Sequence, residues 1–409
     1  MAYFNQSRSR TVILPAGGRF ATPETLTARA HQLADAFPDT SVRLLGQTDE
    51  GRPIEALTIS GGPRQVVVLA GVHPDESVGY HTVSALWDVL AKPGAALRAC
   101  TWHVVWCSDP DGAARHTPIQ PLSVETYFTG ETYYRPAPAE QPEWGYRPAH
   151  PADELAATRA VRGLIDEVRP DALVSLHNAL SGGAFSFVTH RLVPLHRAMA
   201  RMPARYSLPL ADPEEAGDGP STPWAPGVWR VRRPAPALGA GISSVQYAKL
   251  RYGTVGLIPE VPLFRAQASP ETGLESAGRV LEAGLNLRAA ASALPALEQT
   301  RSGRAARSQI GILPAISDAE EKRRRASAFS HWAVLRAATS LLRHAQDSFV
   351  RDLAALERCE VLLERHMRTT KTHLAPTPHP SELVAGAQLD LIVTLAEALH
   401  DTKSLQEQR

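Results

Sequence analysis

Cysteine is scarce in this chain. Three occur in 409 residues, Cys100, Cys107 and Cys359. The number is odd and no CxxC pair exists, which argues against a disulfide framework and for reduced thiols. Cys100 and Cys107 bracket an expected strand and lie too far apart along it to bond. An excess of one charge is also missing, since 43 basic residues face 42 acidic ones and the net charge is +1. That balance gives no reason to expect nucleic acid, an anionic membrane or a polyacidic partner. No apolar run of about 18 residues is present. The N-terminus, MAYFNQSRSRTVILPAGG, lacks the apolar core of about 7–15 residues that a secretory leader needs. The expectation is a cytoplasmic protein without a membrane or nucleic-acid partner. What is plentiful is Ala, Arg and Pro, with 33 prolines. The 44% hydrophobic content suits a globular protein with a sizeable core.

The hydrophobic periodicity predicts an α/β domain: a mixed, mostly parallel sheet flanked by helices. Residues 23–39 have helical spacing after Thr22, an N-cap residue type. Residues 41–60 read as a hairpin around the turn 48-TDEGRP-53. The Val-rich run 65-QVVVLAGV-72 is continuous, as in a strand buried on both faces. A helix over 77–91 and a strand over 101–107 follow. Residues 108–150 form a long irregular stretch rich in Pro, Gly, Tyr and Trp, and loops of that length are usually functional or disordered. A helix over 153–168 leads into the strand 171-DALVSLH-177. Another strand at 185–188, a helix near 191–202, a loop over 209–241, the buried strand 254-TVGLIPEV-261 and a helix over 271–296 complete a domain of residues 1–300. Residues 301–318 read as a basic linker. Residues 319–409 read as a C-terminal helical hairpin appendix, with a long helix over 319–368 broken once and a second helix over 381–401.

An abrupt change marks 66-VVVLAGVHPDESVGYHTV-83, where the apolar run ends in His73, Pro74, Asp75 and Glu76. HxxE alone is a weak signal, and about one chance match is expected in a chain with this many histidines. The sequence contains a twin, His379-Pro-Ser-Glu382. It opens the helix 381–401, where Ser381 suits a cap and Glu382 suits the helix dipole. The first motif instead sits at the C-terminal end of a buried strand, the sheet edge at which open α/β folds bind ligands. His177 and Glu260 also stand at strand C-termini. If those strands are parallel neighbours, the three positions converge. Two histidines and a glutamate with an open position form a catalytic zinc set, and a second carboxylate can act as general base. A carboxylate within GLIPEVPLF is costly to bury unless it is paired, hydrogen-bonded or catalytic.

These pieces, in this order, resemble the zinc carboxypeptidase family of the carboxypeptidase A type. The resemblance runs over roughly residues 20–296. It rests on 46-GQTDEGRPIEALTIS-60, AGVHPDES at 70–77, 107-CSDPDGAAR-115, ETYYRPAP at 131–138, HPADELAATRA at 150–160, VSLHN at 174–178 and GLIPEVP at 256–262. It implies one Zn2+ per chain held by His73, Glu76 and His177, with Glu260 as the catalytic base. It further implies Arg115 as the residue stabilising the oxyanion and Arg135 as the holder of the substrate's terminal carboxylate. A loop salt bridge is the rival role for either arginine. Departures are visible: Asp109 replaces an Asn, and Tyr134 stands before Arg135 where the family carries Asn. Tyr247, Tyr133 and Tyr134 are candidates for the family's active-site tyrosine. Asp75 is left as a cap or a partner of the zinc ligands.

The leading expectation is a zinc metallocarboxypeptidase acting on a peptide or amide with a free carboxylate. Two others stand beside it. One is a zinc amidohydrolase that deacylates an N-acyl amino acid or processes a biosynthetic intermediate. The other is a catalytically inactive, carboxypeptidase-like binding protein. The helical appendix is a candidate for a homodimer contact, although its apolar stripe is more often plain packing.

Overall fold

A computed structural model describes residues 21–92, 96–117, 122–211, 223–231, 241–348 and 353–400. The stretch read for a leader, residues 1–18, lies outside them, as does most of the 209–241 loop. In chain order, α1 (Pro23–Ala36) precedes β1 (Thr40–Gln47), β2 (Pro53–Ile59) and β3 (Arg64–Leu69). Next come α2 (Val78–Leu90), β4 (Cys100–Val105), the short turns α3 (Pro110–Ala113) and α4 (Val124–Tyr127), α5 (Ala156–Val168), β5 (Ala172–Ser175), β6 (His177–Ala179) and β7 (Phe185–Val188). The chain continues through α6 (Val193–Ala200), α7 (Met202–Tyr206), β8 (Pro223–Ala225), β9 (Val228–Arg230), α8 (Ser244–Tyr252) and β10 (Val255–Pro262). After β11 (Phe264–Arg265) run α9 (Gly273–Ser292), α10 (Arg301–Gly311), α11 (Leu313–Glu321), α12 (Ala328–Asp347), α13 (Leu353–Leu374), β12 (Thr377–Pro378) and α14 (Ser381–His400).

The strands form one mixed sheet in the order β1-β2-β4-β3-β5-β10-β7-β9-β8, with β6 also paired to β10. Its centre is parallel: β4, β3, β5 and β10 run the same way. The expected hairpin is β1 and β2, antiparallel with an irregularity between Leu44 and Gly46. The central strands are buried on both faces, as their unbroken apolar runs require. Alternate side chains enter different cores. Val66 and Val68 of β3 pack with α2, α6 and α14, whereas Val67 and Leu69 pack with α5 and α8. All three cysteines are free and buried.

Two boundaries differ from the sequence expectation. Residues 301–318 are not a linker but α10 and most of α11, with Thr300 capping α10 through Gly303 N–H. The basic side chains hid the helix because its small residues, such as Gly303, Ala305 and Ala306, form the buried face. Nor is the C-terminal segment an appendix. α14 lies against α2, α6 and β10 and closes one face of the sheet. Among the described residues it is the one helix long and apolar enough to cross a membrane, but 72% of its apolar window is buried in the fold. Its polar residues are engaged too: Gln388 accepts from Thr82 and Asp390 accepts from Arg205. The helix expected over 319–368 is interrupted twice, after Glu321 and after Asp347.

α12 is buried on nearly every side. Trp332 stacks between Phe128 at 6.0 Å and Phe264 at 5.7 Å, and its indole N–H donates to Ser181 Oγ at 2.6 Å. Of the apolar stripe that made this segment a candidate dimer contact, Trp332, Leu335 and Leu342 are covered within the chain, whereas Leu353 is exposed. Trp332→Ala should lower unfolding free energy by about 3–5 kcal/mol, the usual cost of truncating a buried aromatic. Denaturant unfolding checks this, and a loss under about 1 kcal/mol would mean that α12 is not anchored by this wedge.

Candidate metal centre

The parallel order β3-β5-β10 brings the three expected positions to one sheet edge. His73 lies four residues beyond β3, His177 begins β6 directly after β5, and Glu260 lies near the end of β10. The turn into the first motif needs a glycine. Gly71 has φ +55°, and a Cβ there would stand 2.6 Å from the Tyr80 hydroxyl. The same turn is stitched to the end of β4 by Ser108 N–H donating to Ala70 O and Asp109 N–H to Gly71 O, both at 2.9 Å.

The two imidazoles meet on one carboxylate. His73 Nδ1 is 2.9 Å from Glu76 Oε1, and His177 Nδ1 is 2.9 Å from Glu76 Oε2. The rings stand edge to face at 4.7 Å, and all three residues are buried. Glu260 is the Cα partner of His177 across β10 and β6, with Oε1 3.9 Å from His177 Nδ1. Burial opposes charge on Glu76, but His73, His177 and Arg135 hold its carboxyl well below the usual range. Burial and then Arg135 push His73 down to about 4. Burial also works against the His177 cation, yet Glu76 and Glu260 outweigh it and raise His177 to about 9. A buried carboxylate flanked by two Nδ1 atoms suits a divalent cation.

A sequence relationship covers the first two members of the donor set, His73 and Glu76. The zinc carboxypeptidase family model matches residues 26–126. Over that quarter of its length the chain is similar to the zinc carboxypeptidase family. The match spans the HPDE motif and stops before His177 and Glu260. No curated protein matches the chain. Among solved structures, the metallo-carboxypeptidase from Burkholderia cenocepacia is 19% identical, with a TM-score of 0.35 over 59% of this chain and 60% of that one. The metallo-carboxypeptidase from Pseudomonas aeruginosa is 16% identical, with a TM-score of 0.38 over 59% and 60%. The carboxypeptidase A from Helicoverpa armigera is 14% identical, with a TM-score of 0.40 over 78% and 75%. Likenesses this distant leave the chemistry to the side chains.

Asp75 is no helix cap, since Ser77 occupies that position. Asp75 is fully buried and accepts from Arg135 Nη1 at 2.7 Å, Arg336 Nη2 at 3.4 Å and the Tyr133 hydroxyl at 3.5 Å. It anchors the layer behind the ligands. Arg135 does reach the centre, but the same Nη1 also donates to Glu76 Oε1 at 2.7 Å. Tyr134 is buried between the guanidinium groups of Arg115 and Arg343, 5.9 and 5.4 Å from its ring.

Two expected residues are placed elsewhere. Arg115 makes a two-pronged ion pair with Glu50, at 2.7 and 3.1 Å, and donates to Asp111 O. That is the loop salt bridge, the rival to its oxyanion role. The short DPDG turn ends just before Arg115, and the nearest carboxylate is in the β1–β2 hairpin. Tyr247 donates to Asp166 at 2.7 Å and stacks on Tyr146. Asp166 ends α5, beside the N-terminal ends of the parallel strands, so Tyr247 packs at the edge opposite the ligands. Asp109, where the family carries Asn, is pushed up by burial to about 7. Its Oδ1 accepts from Gly112 N–H at 2.9 Å.

Sequence reading did not single out Glu143, Ser175, Arg336 or Gln388. Ser175 Oγ lies 3.1 Å from His177 Nε2, leaving Nδ1 to face Glu76 and Glu260. Behind it, Glu143 is buried, accepts from Ser244 at 2.8 Å and is raised by burial to about 7. Gln388 of α14 donates to the His177 carbonyl. A carboxylate within 141-QPEW-144 and two arginines seven apart on an apolar helix, Arg336 and Arg343, were the available signals. Nothing local links Gln388 to the site.

Proposed function

We propose that the protein is a zinc-dependent metallocarboxypeptidase hydrolysing a C-terminal peptide or related amide bond. The observation that carries this reading is the register of β10 on β6, which sets Glu260 directly beside His177. It supports one carboxylate acting next to the metal ligands without belonging to them. His73, Glu76 and His177 would hold one Zn2+. Bound there, zinc supplies a Lewis acid that polarises the scissile carbonyl and lowers the pKa of a water. Glu260 accepts the proton of the attacking water at its carboxylate and returns it to the leaving amine. Ser175 and Gln388 hold His177 in orientation. Arg135 meets the substrate's free carboxylate as a guanidinium already fixed by Asp75 and Glu76, which lowers the entropy lost on binding. A cytoplasmic location, and partners limited to such substrates, belong to the same proposal.

A second reading keeps the same residues and changes the substrate to a small N-acyl amino acid, whose free carboxylate Arg135 would also hold. A substrate panel separates the two. The carboxypeptidase reading expects turnover of peptides and a loss of about 10- to 100-fold in kcat/KM when the terminal carboxylate is amidated, the worth of one charge-assisted contact. Preference for short acyl groups and indifference to peptide length would support the second reading. Equal rates on amidated and free peptides would overturn both.

A further inference from the structure

The helical block α9–α13 leaves the sheet just after the strand of Glu260 and returns just before α14. Its two roots are stitched together: β11 pairs with β12, and Gln267 N–H donates to Leu374 O at 2.8 Å. At this seam three metal-competent side chains meet away from the centre described above. Glu271 precedes α9, His331 lies in the first turn of α12 and His373 in the last turn of α13. Their donor atoms all lie within 4.8 Å of one another.

The distances suit a cation better than a hydrogen-bonded pair. Glu271 Oε2 is 3.3 Å from His331 Nε2, and Glu271 Oε1 is 3.5 Å from His373 Nδ1. Ligands on a tetrahedral zinc with bonds near 2.1 Å stand about 3.4 Å apart. The imidazoles are edge to face at 5.2 Å. His373 Nδ1 is a buried atom with no hydrogen-bond partner, and His331 is 1% exposed. Ser269 Oγ lies 3.5 Å from His331 Nε2, close enough to complete the set. Arg279 also grips Glu271, with its nitrogens 2.9–3.1 Å from both oxygens. Nε reaches both oxygens and Nη2 reaches Oε2, so Oε1, with a single arginine contact, keeps a lone pair for a cation while the arginine keeps the group ionised.

We propose that Glu271, His331 and His373 form a second, structural site for a divalent cation of the zinc type. It fastens the start and the end of the helical block to α12. The ion ties three segments that are far apart in sequence, and α12 carries Arg336 to Asp75 five residues beyond His331. This assignment stands independently of the catalytic reading.

The test is zinc content of the full-length protein, stripped, reloaded with Zn2+ and dialysed. Wild type should hold two equivalents, His373→Ala one, His73→Ala one and the double variant none. Glu271→Gln should match His373→Ala. In the His73→Ala background, where only this site is left, Zn2+ should raise the melting temperature, and adding His373→Ala should remove that shift. His373 is partly exposed, so its loss leaves the fold in place, and far-UV circular dichroism checks this. Equal zinc content in wild type, His373→Ala and Glu271→Gln would overturn the site. So would a His373→Ala protein that is less stable yet loses no zinc, because the cluster would then be ordinary packing.

Discussion

Glu260→Gln should lower kcat by about 10²–10⁴-fold, the contribution of a positioned general base, and leave zinc content unchanged. The substitution preserves shape and removes only the ability to take a proton. Glu260 is the Cα partner of His177 and keeps Oε1 3.9 Å from its Nδ1, so it borders the donor set without completing it. Its side chain retains 16% exposure, which fits a group that must meet water. Steady-state kinetics on a peptide substrate, paired with metal analysis of the same sample, give the answer. Full activity would remove Glu260 from the mechanism. Loss of zinc would instead make it a ligand.

His73→Ala should lose one equivalent of zinc and reduce activity to background. His73 supplies one of only two imidazoles at the centre, and its Nδ1 faces Glu76 Oε1 across 2.9 Å. Removing it leaves one imidazole and one carboxylate, which is below the three protein ligands of a catalytic zinc site. The His379 motif supplies the control. His379 sits beside β12, where its N–H donates to Leu263 O, and α14 begins two residues later. His379→Ala should therefore keep the zinc that His73→Ala loses. If both variants keep it, His73 is not a ligand.

Much of the centre was legible because strand ends are legible. The Val-rich run before His73, the short apolar strand before His177 and the buried strand around Glu260 each end in a residue that apolar packing does not explain. The parallel neighbours β3, β5 and β10 turn those three ends into one place. The supporting layer was less visible. Arg336 and Gln388 lie 263 and 315 positions beyond His73 in the chain, with local surroundings that give no hint of a metal. Arg115 and Tyr247 show the reverse error. Each was a candidate drawn from the family resemblance, but in the fold Arg115 pairs with Glu50 and Tyr247 with Asp166.

By itself the sequence determined the α/β class and singled out His73, Glu76, His177 and Glu260, which the fold brings together at one sheet edge. It could do so because strand burial and terminal polar residues are local patterns, repeated every few positions. Only the tertiary structure decided that α14 closes the sheet and grips His177, that α12 brings Arg336 to Asp75, and that residues 301–318 are helical. Those outcomes depend on which buried surfaces find each other across hundreds of residues. An apolar helix reads the same in sequence whether it covers its own sheet or pairs with another copy, and only the packed chain distinguishes them.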